Sequence, residues 1–185
     1  ERALRHIGNG ETLQGRARYK PPPGGGWDEE AYRGDAYKAY SWGADVVEVA
    51  VDPDTLEVRP VKVTAVVEIG RAIHPVLALG QVMGGTLQAL GWGYLEEIKT
   101  EGGRYLNDRL ATYIIPTFID APEMVSEIAE LPYAHGPFGA KGLGELPLDG
   151  GAPALAAAIE QATGLVVDEL PITPERLHHA RTGRA

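Results

Sequence analysis

Apolar and polar positions along the chain fall into segments of different period. Residues 45–51 (Asp-Val-Val-Glu-Val-Ala-Val) and 58–67 are rich in β-branched side chains, which suit a pleated, half-buried surface. Between them, Asp52-Pro53-Asp54-Thr55 has Asp at the first turn position and Pro at the second, so the two segments predict a β-hairpin. From residue 77 to 97, Leu79, Val82, Leu87, Leu90 and Leu95 recur near helical spacing. Gly80, Gly84, Gly85, Gly91 and Gly93 weaken that helix by up to about 1 kcal/mol each relative to Ala. A helix with so many glycines predicts close approach by another backbone or by a ligand. Glu101-Gly102-Gly103-Arg104 reads as a hairpin tip, residues 111–119 as an apolar run broken by Pro116, and residues 124–131 as a strand. An Ala-rich helix is expected over 152–163, stopped by Gly164, with a strand over 165–170. Thr173 and Pro174 fit the N-cap and first position of a last helix. Strands and helices mix without strict βαβ alternation, which gives an α+β class, and no fixed-period repeat is present.

Composition narrows the function classes. The 185 residues permit one domain or two small ones sharing an interface. Pro21-Pro22-Pro23-Gly24-Gly25-Gly26 reads as a linker, so an N-terminal segment with its linker is assigned to residues 1–35 and the main domain to 36–185. A net charge of −9 argues against binding a nucleic-acid backbone. No apolar run approaches the roughly 18 residues of a membrane span, so a soluble protein is expected, with cytoplasm as the default. With no cysteine, the chain has no disulfide, thiolate metal site or Cys nucleophile. The first residue is Glu1 rather than Met, which suggests a processed chain or a piece of something longer.

Two segments carry candidate chemistry. Residues 136–145 (Gly-Pro-Phe-Gly-Ala-Lys-Gly-Leu-Gly-Glu) hold four glycines in nine positions and end on one carboxylate, Glu145. Such a backbone can approach a bulky ligand and present N–H groups to it. The Leu-Pro-Leu segment that follows would desolvate Glu145 and tune it as a general base. From these residues alone, a structural loop with a solvated Glu is the more common outcome. Gly80-Gln81 opens the glycine-rich helix, where orphan N–H groups and a neutral amide suit an anion or cofactor; a tightly packed helix with Gln81 on its surface is the other reading. The histidines give no metal site. His178 and His179 are adjacent on a helix and point apart, His74 precedes Pro75 as a turn residue or buried donor, and His6 and His135 have no partner at ligand spacing. Neither Ser41 nor Ser126 lies in a nucleophile elbow.

From about Gly43 to Arg176, the order and spacing of these segments resemble the C-terminal part of the molybdenum-binding subunit of the xanthine dehydrogenase and aldehyde oxidase family. The match includes the Val-rich hairpin, Val66-Val67-Glu68-Ile69-Gly70-Arg71-Ala72-Ile73-His74-Pro75, Gly80-Gln81 with its helix, and Tyr113, Pro116 and Asp120. It continues through residues 136–145, Ala162-Thr163-Gly164 and Leu170-Pro171-Ile172-Thr173-Pro174-Glu175-Arg176. The resemblance implies a mixed two-layer sheet-and-helix molybdopterin-binding domain over 36–185. It makes Glu145 the catalytic base for hydroxylation of an aldehyde or N-heteroaromatic, xanthine-like carbon. Gly80 and Gln81 would contact the pterin, Leu143 and Gly144 would approach the metal's ligand sphere, and Lys141 and Gly142 would also bind the cofactor. The cofactor would be molybdenum-molybdopterin, as the mononucleotide or the cytosine dinucleotide, and would need no protein metal ligand. FAD and 2Fe-2S clusters would sit on partner domains or subunits of a hetero-oligomer.

The chain departs from the family at Glu68 (usually Asp), His74 (often Asn), Ala89 (often Gly) and Ala157 (often Asn), and above all in length. It is expected to be a split-gene subunit or an excised domain, active only with the remainder of the molybdenum subunit. The opposing expectations are a non-catalytic orphan fragment or scaffold module of the same fold and, on the glycine loops alone, a small nucleotide-binding domain.

Overall fold

The computed structural model describes residues 14–20 and 22–183; His6, Pro21 and most of the polar opening stretch lie outside them. The chain forms two compact units that divide after Lys38. In the first, two-residue strands β1 (Trp27–Asp28) and β2 (Arg33–Gly34) pair antiparallel. Asp28 Oδ1 accepts the Glu30 and Ala31 N–H groups, each at 2.9 Å, and so closes the turn between them.

The second unit carries the core. β3 (Trp42–Val51) and β4 (Val58–Glu68) form the antiparallel hairpin that the β-branched runs predict, with a register shift between Glu48 and Val49. At the turn, Asp52 Oδ1 accepts the N–H groups of Asp54 and Thr55 at 2.9 and 2.8 Å. α1 (Pro75–Tyr94) follows, and then the small hairpin of β5 (Thr100–Glu101) and β6 (Arg104–Tyr105), where Gly102 and Gly103 take the positive φ its turn requires. Residues 106–122 form no regular element, and β7 (Glu123–Ala129) then pairs parallel to β4. The sheet order β3-β4-β7 places β4 at its centre. A parallel neighbour needs a long crossover, and α1 with the irregular stretch supplies it.

α2 (Gly151–Thr163) and α3 (Pro174–Thr182) complete the fold. Val63, Ala65 and Val67 alternate inward from β4, and Val47 joins them from β3. Val47 and Val63 meet Leu90, Leu155, Ile159, Ile172 and Leu177 in one core cluster; Ala65, Val67, Ile69, Ala72 and Val82 form a second. The result is a layer of mixed sheet against a layer of helices, the α+β arrangement expected.

Some boundaries differ from expectation. α1 starts at Pro75 rather than 77, because His74 caps it and Nδ1 accepts the Leu77 N–H at 3.3 Å. It stops at Tyr94, short of 97, where the N–H groups of Leu95 and Glu96 both turn to the Gly91 carbonyl. The strand expected over 165–170 is not one. Its alternation is real, since Leu165 and Val167 pack on the core and Val166 is exposed, but no strand among the described residues pairs with it. The glycine-rich stretch after 136 holds two single-turn 3₁₀ helices, Pro137–Gly139 and Leu146–Leu148.

Candidate functional site

The loop over 136–145 is laid along the end of β4 and pinned there. Gly70 has φ +70° and bridges Ala140, and a Cβ on it would strike the Gly139 carbonyl oxygen. That carbonyl accepts the N–H groups of Arg71 and Tyr133 at 2.8 and 2.9 Å, and the Lys141 N–H donates to Ile69 O at 2.8 Å. Phe138, at the tip, is held at φ +54° with its ring 86% exposed, a strained backbone for a bulky residue.

Beyond Lys141, every second carbonyl is tied to a different element. Ser41 Oγ donates to Gly142 O at 2.6 Å, and Gln81 Nε2, on α1, donates to Gly144 O at 2.8 Å. A trans peptide points its N–H opposite the preceding C=O. The Leu143 and Glu145 N–H groups are therefore turned away from Ser41 and Gln81, and neither donates to a protein acceptor among the described residues. Leu146–Leu148 then closes the segment, with Pro147 buried against Gly85 of α1 and Leu146 packed near Gly43.

Glu145 ends this tethered loop, its side chain exposed and without a hydrogen bond or ion pair to any of the described residues. The apolar shield expected from Leu-Pro-Leu is not built by this chain: Leu146 packs with the Ala65–Val82 cluster and Pro147 on α1, not over the carboxylate. Lys141 is the opposite case. Its side chain is largely covered, with the ammonium 2.6 Å from Glu68 Oε2 and 3.0 Å from Tyr40 O.

The five glycines of α1 divide by environment. A Cβ on Gly85, Gly91 or Gly93 would collide with Pro147, Pro116 or Leu155, whereas one on Gly80 or Gly84 would meet nothing within 4 Å. Gly142 and Gly144 are open in the same way. Gln81, the seventh residue of α1 rather than its opening, bridges the helix to the loop, so the orphan N–H groups expected at Gly80-Gln81 belong to the earlier turn from Pro75, and the contact made here is through the Gln81 amide. Gly80, Gly142, Leu143, Gly144 and Glu145 gather around that bridge. From Gly84, a cavity of about 450 Å³ continues past Gln88 and Trp92 to Tyr113 and Leu148. A larger one, about 540 Å³ between Glu57, Tyr94 and Asp120, holds none of these residues. Open glycine faces, unpartnered N–H groups and a neutral amide fit an electron-rich, bulky cofactor with no protein ligand to its metal. Among the described residues no His, Asp or Glu cluster could hold a metal ion directly.

Sequence reasoning missed Ser41 and the clamp on Lys141. The signal for the clamp was present: Glu68 is a carboxylate inside the apolar run Val66-Val67-Glu68-Ile69, and such a charge is buried only when paired. Ser41, a lone serine outside any motif, gave none.

Comparison with known proteins identifies the family. Residues 1–122 match the molybdopterin cofactor-binding domain family, a span that includes Glu68 and Gln81 but not residues 136–145. The chain is 33% identical over 162 residues to the xanthine dehydrogenase molybdenum-binding subunit of Escherichia coli O157:H7, a match covering 86% of this chain and 22% of that one. It is 35% identical over 144 residues to the 6-hydroxypseudooxynicotine dehydrogenase complex subunit gamma of Paenarthrobacter nicotinovorans, covering 75% of this chain and 18% of that one. The aldehyde oxidoreductase structure from Desulfovibrio desulfuricans ATCC 27774 superposes with a TM-score of 0.72 at 29% identity, over 80% of this chain and 16% of that one. The chain belongs to the molybdopterin cofactor-binding domain family of molybdenum oxidoreductases. It spans about a fifth of the length of the relatives it matches.

Proposed function

We propose that this chain supplies the base-bearing face of a molybdenum hydroxylase, with Glu145 as the catalytic base. The observation that carries the reading is the tethered loop: its backbone is fixed at Gly142 and Gly144, and its terminal carboxylate, Glu145, is left without a polar partner among the described residues. When bound, the molybdenum cofactor supplies Lewis acidity and a two-electron sink. Glu145 takes the proton from the oxygen nucleophile as that oxygen attacks the substrate carbon. Gln81 holds the loop to α1 and offers its remaining amide N–H and oxygen to the pterin. Gly80, Gly142, Leu143 and Gly144 let backbone come close to it, with the Leu143 and Glu145 N–H groups as donors. The substrate is an aldehyde or an N-heteroaromatic, xanthine-like carbon.

The rest of the molybdenum subunit closes the other side of the cofactor and excludes water from Glu145, a task this chain leaves undone. FAD and 2Fe-2S clusters on partner domains or subunits carry the electrons away, in line with the "complex subunit" name of one relative. The isolated chain has no turnover. Among the described residues no helix is long and apolar enough to cross a membrane.

The test is Glu145→Gln in the assembled enzyme. A well-placed general base contributes at least about 100-fold, so turnover falls by that factor or more while molybdenum content stays native. Native turnover in this variant overturns the assignment.

A further inference from the structure

Lys141 is the only cation between Gly136 and Glu145, yet its charge is committed to the protein. Glu68 holds it, and Glu68 holds more than Lys141. Its Oε1 accepts the Gly70 N–H at 2.6 Å and its Oε2 accepts from Lys141 Nζ at 2.6 Å. One buried carboxylate thus joins the end of β4 to the base-bearing loop. The second Lys141 contact, to Tyr40 O, ties in the entry to β3.

Only residues 142–144 separate this clamp from Glu145, and Pro147 is wedged against Gly85 just beyond. Glu145 has no side-chain bond of its own, so its place follows from where the backbone is held. Of the three side-chain tethers, those from Ser41 and Gln81 are single neutral hydrogen bonds to carbonyls. The Glu68–Lys141 contact is short, charge-assisted and largely shielded from solvent, the strongest of these three.

We propose that the Glu68–Lys141 ion pair positions Glu145, making Lys141 a positioning residue that acts through the loop rather than a contact of the bound cofactor. The inference rests on Glu145 being the base. A misplacement of about 1 Å at a reacting group costs up to about 100-fold in rate, so a slack loop registers in kcat.

The experiment uses the assembled enzyme carrying the neutral pair Glu68→Gln/Lys141→Met, which leaves no unpaired buried charge, alongside Lys141→Arg. Hydrogen exchange of the peptide over 139–145, molybdenum per chain, KM and kcat are measured for each. In the neutral pair, exchange speeds by about 10-fold and kcat falls by about 10-fold or more, while KM and molybdenum content stay within about twofold of native. Lys141→Arg, which keeps the charge, recovers most of the lost kcat. Unchanged exchange, or faster exchange with native kcat, overturns the proposal. So does lost molybdenum with native turnover per molybdenum, which would make Lys141 a cofactor contact. Should the neutral pair not fold, Ser41→Ala loosens the next tether instead: faster exchange with a smaller loss of kcat supports the proposal, and no change in either overturns it. Failure of the base assignment is a separate result, seen as native turnover in Glu145→Gln whatever the exchange rates.

Discussion

At Glu68, burial and bonding act on one carboxyl in opposite senses. Burial pushes it up, but the Lys141 hydrogen bond, the Gly70 N–H, the Lys141 charge and the Leu131 N–H together outweigh that and hold it below the ordinary 4.5. A carboxyl lowered in the folded state stabilises fully above its unfolded value, and that contribution is lost as pH falls through the folded one. Glu68 therefore adds to acid unfolding only below about pH 4.5. Glu68→Gln alone leaves the largely covered Lys141 without its counter-charge, which costs up to about 3 kcal/mol near pH 7. The same substitution flattens the acid limb, so denaturant midpoints of variant and native chain converge between about pH 4.5 and pH 3. A gap that stays constant over that range would mean the carboxylate is not depressed by these bonds. The exposed pair of Lys62 with Glu123, at 3.5 Å, contributes far less, because solvent screens it.

At the scale of elements, α1 shows why one residue type means two things. Gly85, Gly91 and Gly93 are sites where a neighbour occupies the space of a Cβ, and Gly80 and Gly84 are sites where nothing in the chain does. Gly93→Ala brings a methyl within 2.7 Å of Leu155 Cδ2 and destabilises by about 1–3 kcal/mol. Gly80→Ala gains helix propensity, up to about 1 kcal/mol, and raises the melting temperature. In the assembled enzyme the same methyl stands where the pterin is proposed to lie, so molybdenum per chain falls. A stabilised Gly80→Ala enzyme with full molybdenum would place the cofactor elsewhere. The helix and its glycines were legible from spacing, as was the hairpin from its β-branched runs and its Asp-Pro turn. The sorting of the glycines was not, because it depends on Pro147, Pro116 and Leu155 arriving from distant sequence. Alternation at residues 165–170 misled for the same reason: it reports which side chains are buried, not whether a strand edge is present to pair with. The residues of the loop were legible, but its tethers were not, since Ser41 lies 101 residues from the Gly142 carbonyl it holds.

Over the whole of the second unit, apolar surface is unevenly distributed. Sheet and helices bury their facing sides, while Val76, Leu77, Met83 and Trp92 on α1, and Leu110, Phe118 and Ile119 in the stretch after β6, remain exposed. Phe118 and Ile119 are each more than 90% exposed. Apolar surface on this scale marks contact sites in soluble proteins. The chain spans about a fifth of the relatives it matches, and in the function proposed above the rest of the molybdenum subunit supplies the covering surface. The exposed α1 residues share their helix with Gly80, Gln81 and Gly84, so one docking event would both cover this surface and exclude water from Glu145. The isolated chain is therefore expected to bind a hydrophobic dye strongly and to release it when the remainder of the subunit is added. Phe118→Ser/Ile119→Ser should weaken that assembly by more than about 10-fold without touching the loop, since fully desolvated apolar anchors carry most of an interface's energy. Molybdenum content should follow assembly, not the isolated chain's own stability. If dye release and molybdenum loading prove independent of these residues, the surface after β6 faces a different partner, and water exclusion at Glu145 must come from the α1 side alone.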